Sequence, residues 1–193
     1  MGPPLPPPVA PTPLGPLLPS SPLSLPPGAH LVVPGNGTLQ AALKNSSSGD
    51  ELLLADGIYT GAELIIVWNV TIRAQNVGQV TVDGEQSHRV ITIEAGTINL
   101  YGLTIANGNA GGWGVGYGGG IYMYGGTLYT QDCAITGNTA RDYGGGVYAT
   151  GSSTVHFITC TISGNSANAA GGGVAITGTS TFHFITCTIS GNS

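Results

Sequence analysis

Apolar and polar side chains alternate in short runs throughout the second half of the chain. Pairs of apolar positions that are separated by one other residue include Val155/Phe157, Cys160/Ile162 and Val174/Ile176. A period of two residues is typical of a β-strand that buries one face. The runs are too short for helices and glycines interrupt them, so the pattern predicts short strands that turn at glycine-rich corners.

These runs recur with a period of 27 residues. The segment 154–166 returns almost unchanged as 181–193, a looser copy covers 127–139, and a fourth, degenerate copy covers 98–105. A repeat of this length cannot bury a face alone and has to stack on its neighbours. Stacking places equivalent residues about 4.8 Å apart in parallel sheets. We therefore predict an all-β fold, a right-handed, single-stranded parallel β-helix of about six coils.

The first half of the chain fits the beginning of the same solenoid. Residues 38–44 have helical spacing and are predicted to form a short helix that caps the first coil. The segment 49–59 is predicted to contain a turn and the first strand. Later strands are predicted at 64–67, 70–73, 80–82 and 90–93.

The proline distribution divides the chain in two. All 13 prolines lie between residues 3 and 34, and proline cannot donate a hydrogen bond to a sheet ladder. We therefore predict a disordered Pro-rich linker over residues 1–34 and a β-helix over residues 35–193 that is incomplete at its C-terminal end. Only 7% of the residues are charged, which suits coils in which each charge would stack on a like charge.

Charge and hydropathy exclude several partners. The net charge is −5, with only 4 Lys and Arg residues, so no basic patch for nucleic acid is expected. No stretch reaches the roughly 18 apolar residues of a membrane-spanning helix. The first residues lack the basic and uninterrupted apolar segments of a secretory signal. We predict no nucleic-acid partner, no transmembrane segment and no signal peptide within this chain.

Motifs in both halves resemble known β-helices. The segment 49–59 resembles the first coil of the pectin-lyase-like superfamily, and the segment 80–84 resembles its second coil. The later repeats are similar to those of chlamydial polymorphic outer-membrane proteins, which alternate Gly-Gly-Ala-Ile with Phe-x-x-Asn. In this chain the same slots contain Gly-Gly-Gly-Val/Ile and Ile-x-x-Asn. The resemblance implies the fold and an extracellular or cell-surface location, but this fold carries lyases, hydrolases and adhesins alike.

The repeat predicts three columns of identical residues. They are Cys133/Cys160/Cys187, Asn138/Asn165/Asn192 and His156/His183. An odd number of cysteines makes no disulfide framework, so we interpret the cysteines as buried apolar residues rather than as metal ligands or reactive thiols. We interpret the asparagines as a ladder of amides that bond coil to coil. The histidines lack a neighbouring carboxylate or thiol and are interpreted as structural rather than as a metal site.

Two groups of charged residues are the candidates for enzymatic chemistry. They are Asp132/Arg141/Asp142 and Asp83/Glu85/Arg89. A lyase of this fold needs carboxylates for calcium and a base, and a hydrolase needs carboxyl groups about 5–9.5 Å apart. The first group contains the only charged residues after Ile98. We interpret both groups as solvated turn residues and predict no catalytic, cofactor-binding or metal-ligating residue and no cofactor.

Three further motifs have weaker functional interpretations. The segment 114–119 matches the GxGxxG pattern of dinucleotide sites but lies in a glycine run without a following helix. Outward hydroxyls at Thr161/Ser163 and Thr188/Ser190 suggest an ice-binding face, which Ala106 and Ala134 interrupt. Asn36, Asn45 and Asn69 match the N-glycosylation pattern, which matters only if the chain is exported.

These observations favour a non-enzymatic β-helix module that acts as a structural or surface-recognition scaffold of a carbohydrate-binding or adhesin-like kind. The expected partner is a polysaccharide or a cell-surface molecule. The alternative is a truncated polysaccharide lyase or glycoside hydrolase of the pectin-lyase-like fold. Because the last coil would present unpaired strand edges, we also expect end-to-end self-association through it.

Overall fold

The computed structural model describes residues 25, 27–112 and 116–193, which form a parallel β-solenoid of about six turns. Successive turns stack their strands into long sheets, and each strand pairs only with its counterparts in the adjacent turns. The predicted parallel fold is therefore confirmed. Among the described residues, no helix is long and apolar enough to cross a membrane.

Four sheets run along the solenoid. Sheet A contains β1 (Ala29–Val32), β3 (Glu51–Leu54), β6 (Val70–Ala74), β9 (Thr97–Tyr101), β13 (Thr127–Gln131), β17 (Thr154–Ile158) and β21 (Thr181–Ile185). Sheet B contains β2 (Gly35–Asn36), β4 (Gly57–Thr60), β7 (Val80–Asp83), β10 (Leu103–Ala106), β14 (Ala134–Thr136), β18 (Thr161–Ser163) and β22 (Thr188–Ser190). Sheet C contains β5 (Leu64–Ile66), β8 (Ile91–Ile93), β12 (Ile121–Met123), β16 (Val147–Ala149) and β20 (Val174–Ile176). The short sheet D contains β11 (Asn109–Ala110), β15 (Thr139–Ala140) and β19 (Ser166–Ala167).

The 27-residue repeat sets the register of the last turns. Strand β17 pairs with β21 so that His156 lies beside His183 and Phe157 beside Phe184. The phenylalanine rings stack with centroids 5.0 Å apart. Inward positions along all three long sheets fill one continuous apolar core, so each turn buries a face that it could not bury alone.

Helix α1 (Thr38–Asn45) closes the first turn. It buries Leu39 and Leu43 and contacts β1, β2 and β4. The helix follows β2 in the chain as β5 follows β4, so it occupies the part of the first turn that belongs to sheet C in later turns. The helix predicted from the spacing of residues 38–44 is confirmed.

The solenoid begins earlier than the prolines indicated. Strand β1 lies within the segment 1–34 that was predicted as linker, and it pairs with β3 in register from Ala29 to Val32. Pro34 is compatible with this because it lies beyond the end of β1, where no ladder hydrogen bond is needed. The rest of the predicted linker, residues 1–24 and 26, lies outside the described residues.

The last turn leaves apolar side chains exposed. The exposed fraction is 40% for Phe184, 54% for Ile185 and 48% for Ile189, whereas Phe157 one turn earlier is fully buried. Self-association through this face stays a prediction.

Candidate functional site

A groove of about 410 Å³ crosses the outer face of sheet C. We call it the tyrosine groove and define it by Glu63, Arg89, Thr92, Glu94, Tyr122 and Tyr124. The floor of the groove exists because side chains alternate between the two faces of a strand. In β12, Ile121 and Met123 are fully buried, so the intervening Tyr122 points outward.

The groove runs along the solenoid axis. Ile65, Thr92 and Tyr122 are register partners in three successive turns, and Tyr148 continues the column in the next. Neighbouring members are therefore about 4.8 Å apart. Thr92 and Tyr148 are buried, so a ligand on this face would meet Ile65 and Tyr122.

Arg89 is held within one wall of the groove. Its Nη1 donates to Glu63 Oε1 at 2.9 Å and to Thr92 Oγ1 at 3.1 Å. Its Nε and Nη2 donate to the main-chain oxygen of Tyr117 at 3.0 and 2.8 Å. The guanidinium carbon lies 4.8 Å from the centre of the Tyr122 ring. These contacts leave the Arg89 side chain only 13% exposed, so its donors face the protein.

A cluster of tyrosine rings extends the groove toward the later turns. Tyr117 and Tyr148 have ring centroids 4.6 Å apart, and Tyr122 stacks on Tyr148 at 5.9 Å. Burial raises the pKa of Tyr122, and the Arg89 charge opposes that shift. Tyr124 lies at the rim with 44% of its surface exposed. Partial desolvation and then the neighbouring Glu94 carboxylate raise the pKa of Tyr124, so both phenols stay protonated at neutral pH.

The groove was not identified from the sequence, and the predicted group Asp83/Glu85/Arg89 is rearranged in the structure. Arg89 forms its ion pair with Glu63. Asp83 instead accepts hydrogen bonds from the main-chain nitrogen of Glu85 and from Asn107. Glu63 was missed because it belongs to another turn. The 26-residue spacing of Tyr122 from Tyr148, and of Tyr117 from Tyr143, is the sequence signal that could have located the ring cluster.

The group Asp132/Arg141/Asp142 is divided between two parts of the surface. Asp132 lies at the bend between β13 and β14 with a left-handed φ of 53°, and it lines a depression together with Arg73 and Tyr101. Arg141 pairs with its neighbour Asp142 at 3.0 Å, and this contact raises the pKa of Arg141. Asp132 suits the left-handed conformation of this bend, because Asp tolerates that region better than most residues.

The three cysteines form the predicted inward column. Cys133 and Cys160 are buried and Cys187 is half-buried. The Sγ of Cys160 lies 3.3 Å from the carbonyl oxygen of Ile158, and the Sγ of Cys187 repeats this contact with Ile185. The neighbouring Cys160 thiol, and then burial, raise the pKa of Cys133. The column therefore packs as small apolar residues, as interpreted from the sequence.

The asparagine ladder is also confirmed. Asn165 Oδ1 accepts from the main-chain N of Asn138 at 3.0 Å and from its Nδ2 at 2.9 Å. Asn165 Nδ2 donates to the oxygens of Ile135 and Asn192 at 2.9 and 3.0 Å. Asn138 and Asn165 are fully buried, so the ladder satisfies corner groups that water cannot reach.

The histidine column stacks ring on ring. Tyr129, His156 and His183 are register partners, with ring centroids 4.5 and 4.6 Å apart. Desolvation and then the His183 charge lower the pKa of His156. Within the described residues, no group of three or more His, Cys, Asp or Glu side chains is placed to hold a metal ion.

The remaining motifs are only partly informative. Segment 114–119 lies partly outside the described residues, and strand β12 rather than a helix follows it. On sheet B, Thr104, Ala134, Thr161 and Thr188 form one register column, so Ala134 does interrupt the hydroxyl row. Asn69 is exposed, and its Oδ1 accepts from the main-chain N of Thr97 at 2.8 Å.

Comparison with protein-family models finds no match to this chain. Comparison with curated proteins finds no match either. The class of protein is therefore defined by the fold, a parallel β-solenoid of about six turns.

Proposed function

We propose that this chain is a non-catalytic recognition module that binds a polysaccharide along the tyrosine groove. The main support for this proposal is that Tyr122, Tyr124 and Glu94 line one groove of about 410 Å³ on the outer face of sheet C. Aromatic rings offer apolar faces to sugar C–H groups, and carboxylates accept hydrogen bonds from sugar hydroxyls. Concave sites that combine aromatic surface with a few polar groups are the usual form of small-ligand sites.

The repeat of the solenoid supports a polymeric ligand. Ile65 and Tyr122, the accessible members of the column, lie two turns and therefore about 10 Å apart along the axis, similar to the advance of two pyranose units along an extended glycan. A polysaccharide can therefore place alternate sugars against these two side chains. This match favours a chain ligand over a single compact molecule.

We also propose kinship with the pectin-lyase-like solenoids. The support is the sequence resemblance of segments 49–59 and 80–84 together with the later glycine and asparagine repeats. The carbohydrate chemistry of that superfamily agrees with the proposed ligand, although fold alone does not carry function.

Co-sedimentation with insoluble cellulose, chitin and chitosan tests the proposal. We expect at least one of these to retain the protein, and Tyr124→Ala to reduce retention by about tenfold because a stacking aromatic ring is typically a dominant contact. Tyr129→Ala is the matched control, since Tyr129 is 37% exposed but lies on sheet A. Failure of all three polymers to retain the protein, or equal behaviour of the two variants, would refute the proposal.

A polysaccharide hydrolase or lyase is the second candidate, because Glu63 and Glu94 bring two carboxylates into one groove. Glu63 is already paired with Arg89 at 2.9 Å, which favours a structural role for it. We expect no release of reducing ends or unsaturated products from the polymer that binds. We expect none from pectate, polygalacturonate or alginate either, with or without calcium. Cleavage abolished by Glu94→Gln would establish the enzyme instead.

A further inference from the structure

We propose that the tyrosine groove selects a glycan that carries protonated amines, a polymer of glucosamine type, over neutral and uronic-acid glycans. This inference rests on the proposed function and names its ligand class. Two observations support it. The charge of Arg89 is engaged by protein groups, whereas the charge of Glu94 faces the groove.

Arg89, the arginine that lines the groove, is turned inward. Arg89 donates to Glu63, to Thr92 and to the main-chain oxygens of Tyr117 and Gly118. With 13% of its side chain exposed, Arg89 presents little donor surface to a carboxylate on a ligand. A uronic-acid polymer would also approach a chain whose net charge is −5, so repulsion disfavours it at long range.

Glu94 carries the negative charge that faces the groove. Within the described residues, each of the four ion pairs involves another acidic side chain, so Glu94 has no salt-bridge partner there. Its neighbour is the Tyr124 phenol, a neutral hydrogen-bond donor. A carboxylate that is half-buried in this way gains from a cationic partner, because the attraction is stronger away from bulk water.

The aromatic rings add to the same preference. The faces of tyrosine rings attract cations within about 6 Å of the ring centre, and Arg89 already lies in this relation to Tyr122 at 4.8 Å. Tyr124, exposed at the rim beside Glu94, offers a ring to a second cation. An ammonium group on a sugar would therefore meet a carboxylate and a ring together, while the pyranose packs on the groove floor.

Titration calorimetry with two hexamers of one backbone tests this selectivity. The probes are the β-1,4-linked glucosamine hexamer and its fully N-acetylated form, at a pH just below neutral and about 0.15 M salt to limit long-range attraction. We expect the wild-type protein to bind the amine form about fivefold more tightly, the effect of one partly exposed ion pair. Glu94→Gln should remove this preference, because it weakens binding of the amine hexamer more than binding of the N-acetylated hexamer.

Asp56→Asn is the control, because it changes the net charge equally at an exposed site paired with Asn76. It should leave the preference intact. Equal binding of the two hexamers to wild-type protein, or loss of the preference in Asp56→Asn as well, would overturn the inference while leaving polysaccharide binding in place. Binding of neither hexamer, together with failure of the co-sedimentation test, would overturn the proposed function itself.

Discussion

Replacing Asn165 by alanine should destabilise the solenoid far more than a typical surface substitution. Asn165 is fully buried, and its side chain makes four hydrogen bonds to the turns on either side. The alanine variant leaves the main-chain N–H of Asn138 and the carbonyl oxygen of Ile135 without their partners.

The magnitude follows from these orphaned groups. A buried polar group that loses its partner costs about 1–3 kcal/mol, and a water that enters the vacated space can restore part of this. We expect a loss of about 3 kcal/mol in the free energy of unfolding for Asn165→Ala. Urea denaturation followed by circular dichroism measures it.

The matched control is Asn168→Ala. Asn168 is exposed, and the hydrogen bond that it makes is donated by its main chain to Ala140, which alanine retains. It should change stability by no more than about 0.5 kcal/mol. A loss below about 1 kcal/mol for Asn165→Ala, or equal losses for the two variants, would show that the ladder is not a principal stabilising contact.

Three further predictions concern the corners and columns. Thr159 has a left-handed φ of 53°, which is unfavourable for a β-branched residue. Thr159→Asn should therefore stabilise the folded protein by about 1 kcal/mol, as measured by thermal unfolding. The control Thr161→Asn, within β18, should not stabilise it. Thiol reagents should modify half-buried Cys187 first and reach Cys133 and Cys160 only after denaturant is added; rapid labelling of three thiols in the folded protein would contradict the inward column. Because the pKa of His156 is lowered in the folded protein, the unfolded chain binds a proton at His156 more tightly than the folded protein does. The contribution of His156 to stability should therefore be complete above the unfolded histidine pKa of about 6.5 and should fall as the pH drops through that value. In His156→Asn the stability should fall less steeply over this pH range. An identical pH dependence in both proteins would contradict the lowered pKa of His156.

Most of the fold could be predicted because the later turns repeat. The spacing of 27 residues placed the Cys133 and Asn138 columns correctly, since identical turns stack in register. The helical spacing of residues 38–44 predicted α1, because its two buried leucines lie four residues apart. The proline content predicts that the solenoid begins at residue 35 and so excludes strand β1, although a strand can end just before Pro34.

The tyrosine groove could not be predicted in the same way. Most of its side chains come from turns before the regular repeats, and Arg89 meets Glu63 across 26 residues of irregular sequence. Charged residues that are close in sequence, such as Asp83 and Glu85, were grouped together, whereas the stacking of turns brings distant residues together. The spacing of the tyrosines was visible, but their contact depends on the side-chain directions in β12 and β16.

Polysaccharide recognition by the tyrosine groove is tested by locating the bound glycan on the protein. Two-dimensional amide NMR of the nitrogen-15-labelled protein, titrated with the β-1,4-linked glucosamine hexamer, maps the contact residue by residue. We expect the shifts to concentrate at Glu63, Arg89, Glu94, Tyr122 and Tyr124 and to leave β18 and β22 of sheet B unaffected. Shifts centred on the hydroxyl rows of sheet B, or a saturated complex without shifts in the groove, would contradict recognition by the groove.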